Sequence, residues 1–381
     1  MIFMNEIKDN TKKILESNII IDTLSHGPIL WPDEFVKASN EMLAKNINPF
    51  KIVQDLVLEF AKKVAYDDHY FAEYRDAWKK SGVDCVSWTI GPIHEKPYTL
   101  EGVVHNFAYM THILDNRKDY FQKILKADDI ETAHREGKKT IILNFQDMQH
   151  IGMDLDLIDL FYMMGFRIHQ LTYNTKNNVG TGCTARRDKG LTEFGISVVE
   201  RINKLRGIVD VSHCGLQTSK DAIEYSKDPI IASHTFSRDF YLHDRGKPDD
   251  MLQAIAEKGG YIGVLAVAGF LTAKDQPTIE DWLDHIDYIV KLVGIDNVGI
   301  GTDYFGYAVP DRVAEKIDEM MLQLGFREEH RAFFTLKLKG FENYMKFPAL
   351  IEGLINRGYS DPEIKKLAGQ NFIRVFRKTV G

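Results

Sequence analysis

Cysteine is nearly absent. Cys85, Cys183 and Cys214 are the three in 381 residues, and no two stand at CxxC spacing. That excludes a disulfide framework and a zinc-ribbon pattern, and the three read as reduced thiols. No apolar run approaches the roughly 20 residues needed to span a bilayer. The opening Met1-Ile-Phe-Met-Asn-Glu-Ile-Lys-Asp turns charged too early for a signal peptide. The expectation is a cytoplasmic protein with no membrane partner. Basic charge is not in excess either: 48 Lys and Arg against 55 Asp and Glu give a net charge of -7, with the cations scattered among acids. Nucleic acid is therefore not an expected partner. Low-complexity tracts, Pro/Gly-rich linkers and short fixed-period repeats are missing as well, so the simplest reading is one domain over residues 1–381.

What is present is a chain 44% hydrophobic and 27% charged, long enough to bury a large core. Eight short apolar segments, each followed by enough chain for a helix, run Ile19 to Thr23, Val83 to Ile90, Thr140 to Phe145, Arg167 to Thr172, Ile208 to His213, Pro229 to His234, Tyr261 to Val267 and Val298 to Asp303. Eight strands alternating with helices predict an α/β fold, a (β/α)8 TIM barrel. The intervening stretches Leu155 to Met164 and Trp282 to Leu292 carry apolar residues at helical spacing and read as outer-ring helices. Residues 27–82 are too long for one connection and contain helix-like pieces such as Pro49 to Ala61, predicting a helical insertion over the barrel mouth or an oligomer surface. Residues 310–381 read as C-terminal helices packed on the barrel, with Glu315 to Phe326 and Pro362 to Val380 as the helical stretches.

Two of the predicted strands end on histidine, His213 and His234. An apolar run that stops at a histidine looks like a barrel strand delivering a ligand to its C-terminal mouth, and two neighbours doing so point to a metal. Either histidine alone reads equally well as a hydrogen-bonded strand end.

The order VDVSHCG, IASHTFSR, HDRGKPDD, GGYIGV, GIGTDYFG and GLINRGYSDPEIKKLAGQNFIRVF resembles the renal (membrane) dipeptidase family of metallopeptidases, peptidase family M19 in the amidohydrolase-like superfamily. Tyr173 to Cys183 together with Phe145-Gln146 resembles a bacterial branch with altered metal ligands. The resemblance implies two zinc ions, held by a His-x-Asp pair at strand one, a bridging Glu at strand three and histidines at strands five and six. The last two map onto His213 and His234. Strand one instead reads Asp22-Thr-Leu-Ser-His26, with Leu24 where a histidine belongs and His26 where the aspartate belongs, and the bridging Glu aligns with Gln146. A neutral amide bridges two dications poorly. One zinc is therefore expected above two, held by His213, His234 and a third group among Gln146, Asp303 and His26. Asp22 and Asp147 stand close enough in sequence to turn inward as replacements, and an empty site is the remaining alternative.

The same resemblance gives Asp303 the proton-handling position, against a reading as a helix or turn cap. It gives Arg245 the grip on a substrate carboxylate, for which a two-pronged donor is well suited, and places Asn174 beside the substrate. Asp249 would order the loop or be a solvated charge. Tyr173 stands where the family has a histidine that polarises the scissile carbonyl; a phenol can donate to an oxyanion, or serve as a proton donor in an elimination. Cys183 reads as a pocket thiol or a buried bystander. The function implied is a metal-dependent hydrolase of a small dipeptide or amide, in a homo-oligomer. The alternatives are a metal-poor tautomerase or lyase using Tyr173 and Asp303, and a non-catalytic binding protein.

Overall fold

In the computed structural model the described residues are 8–91, 99–304, 309–327, 329–330 and 334–381. Met1 to Ile7, on which the signal-peptide reading rests, and Phe305-Gly306 of the GIGTDYFG motif lie outside them.

Among the described residues nine strands form one parallel sheet: β1 (Ile21–Asp22), β2 (Cys85–Thr89), β3 (Phe121–Lys123), β4 (Lys139–Phe145), β5 (Phe166–Gln170), β6 (Ile208–Asp210), β7 (Ile231–Thr235), β8 (Tyr261–Val264) and β9 (Val298–Ile300). Eight of them pair in the order β1-β2-β4-β5-β6-β7-β8-β9. The ring closes where Thr23 N donates to Ile300 O and Asp303 N donates to Leu24 O, each at 3.0 Å. This is the TIM barrel that the eight segments predict. Its strands read as near-continuous Val/Ile/Leu runs because both faces of each are covered.

Three details depart from the sequence reading. The three-residue β3, too short to register as a periodic pattern, pairs with the first half of β4. Three strands stop three residues earlier than expected: β6 at Asp210, β8 at Val264 and β9 at Ile300. Their final residues leave the sheet to build the mouth, so the expected segment overstates the strand. Glu315 to Phe326 is not one helix: Asp311–Asp318 is followed by a 3-10 turn, Met321–Leu324. Gly325 with φ +84° stops that turn in a conformation glycine adopts readily.

Residues 27–82 do form helices, Asp33–Ala44, Pro49–Tyr66 and Asp68–Ser81. Asn48 and Asp67 accept from Phe50 N and Tyr70 N to cap the last two. The helix Pro49–Tyr66 packs on Leu100–Asn116 over the barrel mouth. At the opposite end, Phe372 and Phe376 of the helix Asn371–Thr379 join Ile21, Ile168, Ile208, Ile231 and Tyr261 in one buried cluster. Each such phenylalanine contributes about 1.5–3 kcal/mol by leaving water. That helix plugs the bottom of the barrel, so access to the interior is from the strand C-termini.

Candidate metal centre and active site

His213 follows β6 by three residues, His234 lies near the end of β7, and Asp303 follows β9 by three residues. Side-chain nitrogens of the two histidines and a carboxylate oxygen of Asp303 lie within 4.8 Å of one another. The imidazole rings are 5.0 Å apart.

Each histidine is held in one tautomer by a buried partner. Asn174 donates its Nδ2 to Leu324 O at 2.9 Å, so its Oδ1 faces His213 Nδ1 at 2.7 Å. A carbonyl oxygen only accepts, so His213 Nδ1 carries the proton and Nε2 keeps its lone pair. That Nε2 is buried with no hydrogen-bond partner. Ser233 Oγ donates to the Asp210 carboxylate and thereby offers its lone pair to His234 Nδ1 at 2.7 Å. His234 Nε2 then faces the amide nitrogen of Gln146 at 3.2 Å, which in this orientation donates to the lone pair a metal would use. Burial drives both histidines well below their ordinary pKa, with the Arg245 guanidinium adding to the effect, so both rings are neutral.

Asp303 has φ +54°, an arrangement that costs a non-glycine residue on the order of 1 kcal/mol or more. The strain aims an ionisable group at the two histidines. Burial raises its carboxyl to about 7, partly opposed by Arg245. A buried, unpartnered nitrogen, a second neutral imidazole and a carboxylate are a donor set that fits one divalent ion.

A second ion does not fit the β1–β4 side. Leu24 is buried and apolar. Asp22 accepts from Thr302 N at 2.8 Å, Thr302 Oγ1 at 2.6 Å and Tyr344 OH at 3.0 Å, tying β1 to the end of β9. Asp147 accepts from Gln149 N, Asn177 Nδ2 and Tyr173 N. Both acids expected as replacements are thus committed to holding backbone. His26 stands edge-on to Trp88, with ring centroids 5.2 Å apart, and burial lowers its pKa to about 4.

Arg245 is fully buried, donates Nη2 to His234 O at 2.9 Å, and leaves Nε and Nη1 without partners. A buried guanidinium with two idle donors has the chemistry to accept an anion. Tyr173 stacks on His213 with ring centroids 4.1 Å apart. Burial pushes its phenol above the ordinary pKa, so it stays a proton-bearing donor. Asn174, expected beside substrate, instead has both amide atoms engaged in protein hydrogen bonds and is wholly buried. Its place is behind His213. Gly182 makes this possible: a Cβ there would sit 2.1 Å from Tyr173 O. Cys183 lies in the same turn, its N donating to His213 O at 2.7 Å and its thiol pKa raised by burial, so it is no thiolate. Asp249 orders the loop, accepting from Ser237 Oγ at 2.6 Å and from Tyr288.

Sequence reasoning missed Ser233 and Asp210, although polar residues inside the apolar runs Ile208 to His213 and Pro229 to His234 were a usable signal. It also missed Lys247, wholly buried and donating to Cys214 O, with its pKa lowered to about 8 by burial. A lysine between glycine and proline in a loop carries no periodic signal.

A family model described as membrane dipeptidase (peptidase family M19) matches residues 10–326 and 333–380. A relative from Schizosaccharomyces pombe, named as an uncharacterized dipeptidase, is 30% identical over 261 residues, covering 66% of this chain and 56% of the relative. The match thus spans little more than half of that protein's length. Among solved structures, an amidohydrolase from Pseudomonas aeruginosa is 26% identical with TM-score 0.73, covering 97% of this chain and 99% of that one. A metallo peptidase from Rhodobacter sphaeroides, liganded with a phosphinate mimic of the dipeptide L-Ala-D-Ala, is 20% identical with TM-score 0.66, covering 79% of this chain and 88% of that one. At that identity the likeness is one of fold.

Proposed function

The chain belongs to the membrane dipeptidase family, peptidase family M19, and from that premise we propose that it is a single-metal hydrolase cleaving a small dipeptide or related amide. The observation that carries this reading is the convergence of His213, His234 and Asp303 within 4.8 Å. Zinc is the ion proposed, with the two imidazole Nε2 atoms and the Asp303 carboxylate holding it. When bound, the ion supplies Lewis acidity for the scissile carbonyl and lowers the pKa of a water.

The remaining work belongs to the side chains. Arg245 takes the substrate carboxylate on its idle Nε and Nη1 donors, fixing the register of the amide over the histidines. The Asp303 carboxylate has two oxygens, so one could hold the ion while the other exchanges a proton. It accepts a proton from the attacking water and passes it to the leaving amine. Tyr173, held in place through its backbone N by Asp147 at 3.0 Å, donates to the developing oxyanion. No helix among the described residues is long and apolar enough to cross a membrane.

The test is a panel of L,L and L,D dipeptides with added zinc or manganese, run beside metal analysis. Turnover lost on chelation and restored by metal is the expected outcome. Metal-independent turnover by Tyr173 and Asp303 on a non-peptide metabolite would replace this reading with the proton-transfer one.

A further inference from the structure

Next to the histidine pair the mouth continues into a second cavity of about 130 Å³. Val57 and Phe60 of the helix Pro49–Tyr66, Met110 and Ile113 of the helix Leu100–Asn116, and Trp88 line it beside the polar Gln54, Thr89 and Asn106. Two residues join it to the reactive groups. His26 lines both this cavity and the small cleft that contains Gln146 and Asp303. Tyr173 forms part of its wall while stacking on His213. Among the described residues no Asp, Glu, Lys or Arg lines it.

We propose that this cavity receives the side chain on the acyl side of the scissile amide and selects a large, uncharged, apolar one, aromatic or leucine-like. The proposal rests on the hydrolase reading above. The direction follows from the barrel order. Arg245 comes after β7, beside His234, whereas His26 and Trp88 belong to the β1 and β2 ends across the mouth, and Asp303 follows β9 between β7 and β1. A substrate whose carboxylate sits on Arg245 extends its acyl half toward β1 and β2. The volume sets the size: an apolar cavity of about 150 Å³ takes a benzene ring. The wall sets the chemistry: among the described residues it is mostly apolar and offers no charged group to pair with a charged side chain, which would lose its hydration there.

The experiment measures kcat/KM of the metal-loaded enzyme for Phe-Ala, Leu-Ala, Gly-Ala, Asp-Ala and Lys-Ala. Phe-Ala and Leu-Ala should exceed Gly-Ala by about ten- to two-hundredfold, with Asp-Ala and Lys-Ala below Gly-Ala. Val57 is half-buried on its helix, so Val57→Asp should fold and should bring the Phe-Ala to Gly-Ala ratio down toward one. Val57→Trp, which fills the cavity, should lower the same ratio without introducing charge. Equal rates for Phe-Ala and Gly-Ala, or a preference for Asp-Ala or Lys-Ala, overturn the cavity assignment and leave the hydrolase reading standing. If no dipeptide is cleaved, the hydrolase reading falls, and the cavity is judged by calorimetric binding of phosphinate mimics of Phe-Ala and Gly-Ala. Tighter binding of the Phe mimic supports the assignment, and equal affinities refute it.

Discussion

Two pairs of histidines are buried at the strand ends, and among the described residues one converges with a carboxylate while the other does not. His213 and His234, at β6 and β7, and His150 and His169, at β4 and β5, are all buried, and burial lowers the pKa of all four. The second pair sits among Phe145, Phe161 and Phe166: the His150 ring is 4.2 Å from Phe145, and neither nitrogen of His169 has a hydrogen-bond partner. No carboxylate joins it to form a cluster among the described residues. The first pair has a tautomer-setting partner behind each ring and Asp303 in front. Burial and a shifted pKa therefore do not mark a site by themselves. Converging lone pairs and a nearby carboxylate do.

The largest effect that sharpens this contrast comes from the first pair itself. His213→Ala or His234→Ala should abolish turnover and metal binding, whereas His169→Phe should retain both. Loss of metal in His169→Phe, measured by elemental analysis, would break the comparison. Next, Arg245→Ala should raise KM or lower kcat/KM by about ten- to a hundredfold for a carboxylate-bearing substrate, from a lost charge-assisted hydrogen bond of about 1.5–3 kcal/mol. Arg245→Lys should not restore it, since an ammonium cannot make the paired contact. An unchanged affinity would remove Arg245 from the site.

A smaller effect is expected behind the rings. Asn174→Ala or Ser233→Ala should weaken metal affinity by about 10- to 100-fold, read by competition with a chelator, while the fold persists. These two residues also show where the sequence stopped being legible. His213 and His234 could be read because an apolar strand ending in histidine is a local pattern. Arg245 and Asp303 followed from resemblance. The sequence reading places Asn174 beside the substrate rather than behind His213, because its contact with His213 depends on Gly182 letting two loop segments touch, a proximity with no trace in spacing. The strand overruns differ in origin: after β8 the apolar run continues through Leu265, Ala266 and Val267, whereas after β6 and β9 the mouth is built by Ser212-His213 and Thr302-Asp303, at which the sequence reading ends its strands. The altered strand-one motif was legible as a loss of ligands. Less visible was that Asp22 had become a tie between β1 and β9 and Asp147 an anchor for Tyr173.

The smallest effect concerns stability. His150 and His169 have folded pKa values near about 3, against an unfolded value of about 6.5. Between those limits the unfolded chain binds more protons, so stability present at neutral pH is lost as pH falls from about 6.5 toward 3. Each such histidine contributes a slope of about 1.4 kcal/mol per pH unit. His213 and His234 add to the same acid limb in metal-free protein. His169→Phe should remove one histidine's share, seen as a flatter dependence of urea stability between pH 7 and pH 5. An unchanged slope would mean that His169 takes up a proton in the folded state.

The most direct test of the single-metal account is the metal content per chain of protein purified without chelators, wild type beside His213→Ala and His169→Phe. The account predicts about one equivalent of zinc or a similar ion in the wild type and in His169→Phe, and none in His213→Ala. Two equivalents, or a metal-free wild type that still cleaves dipeptides, would contradict it.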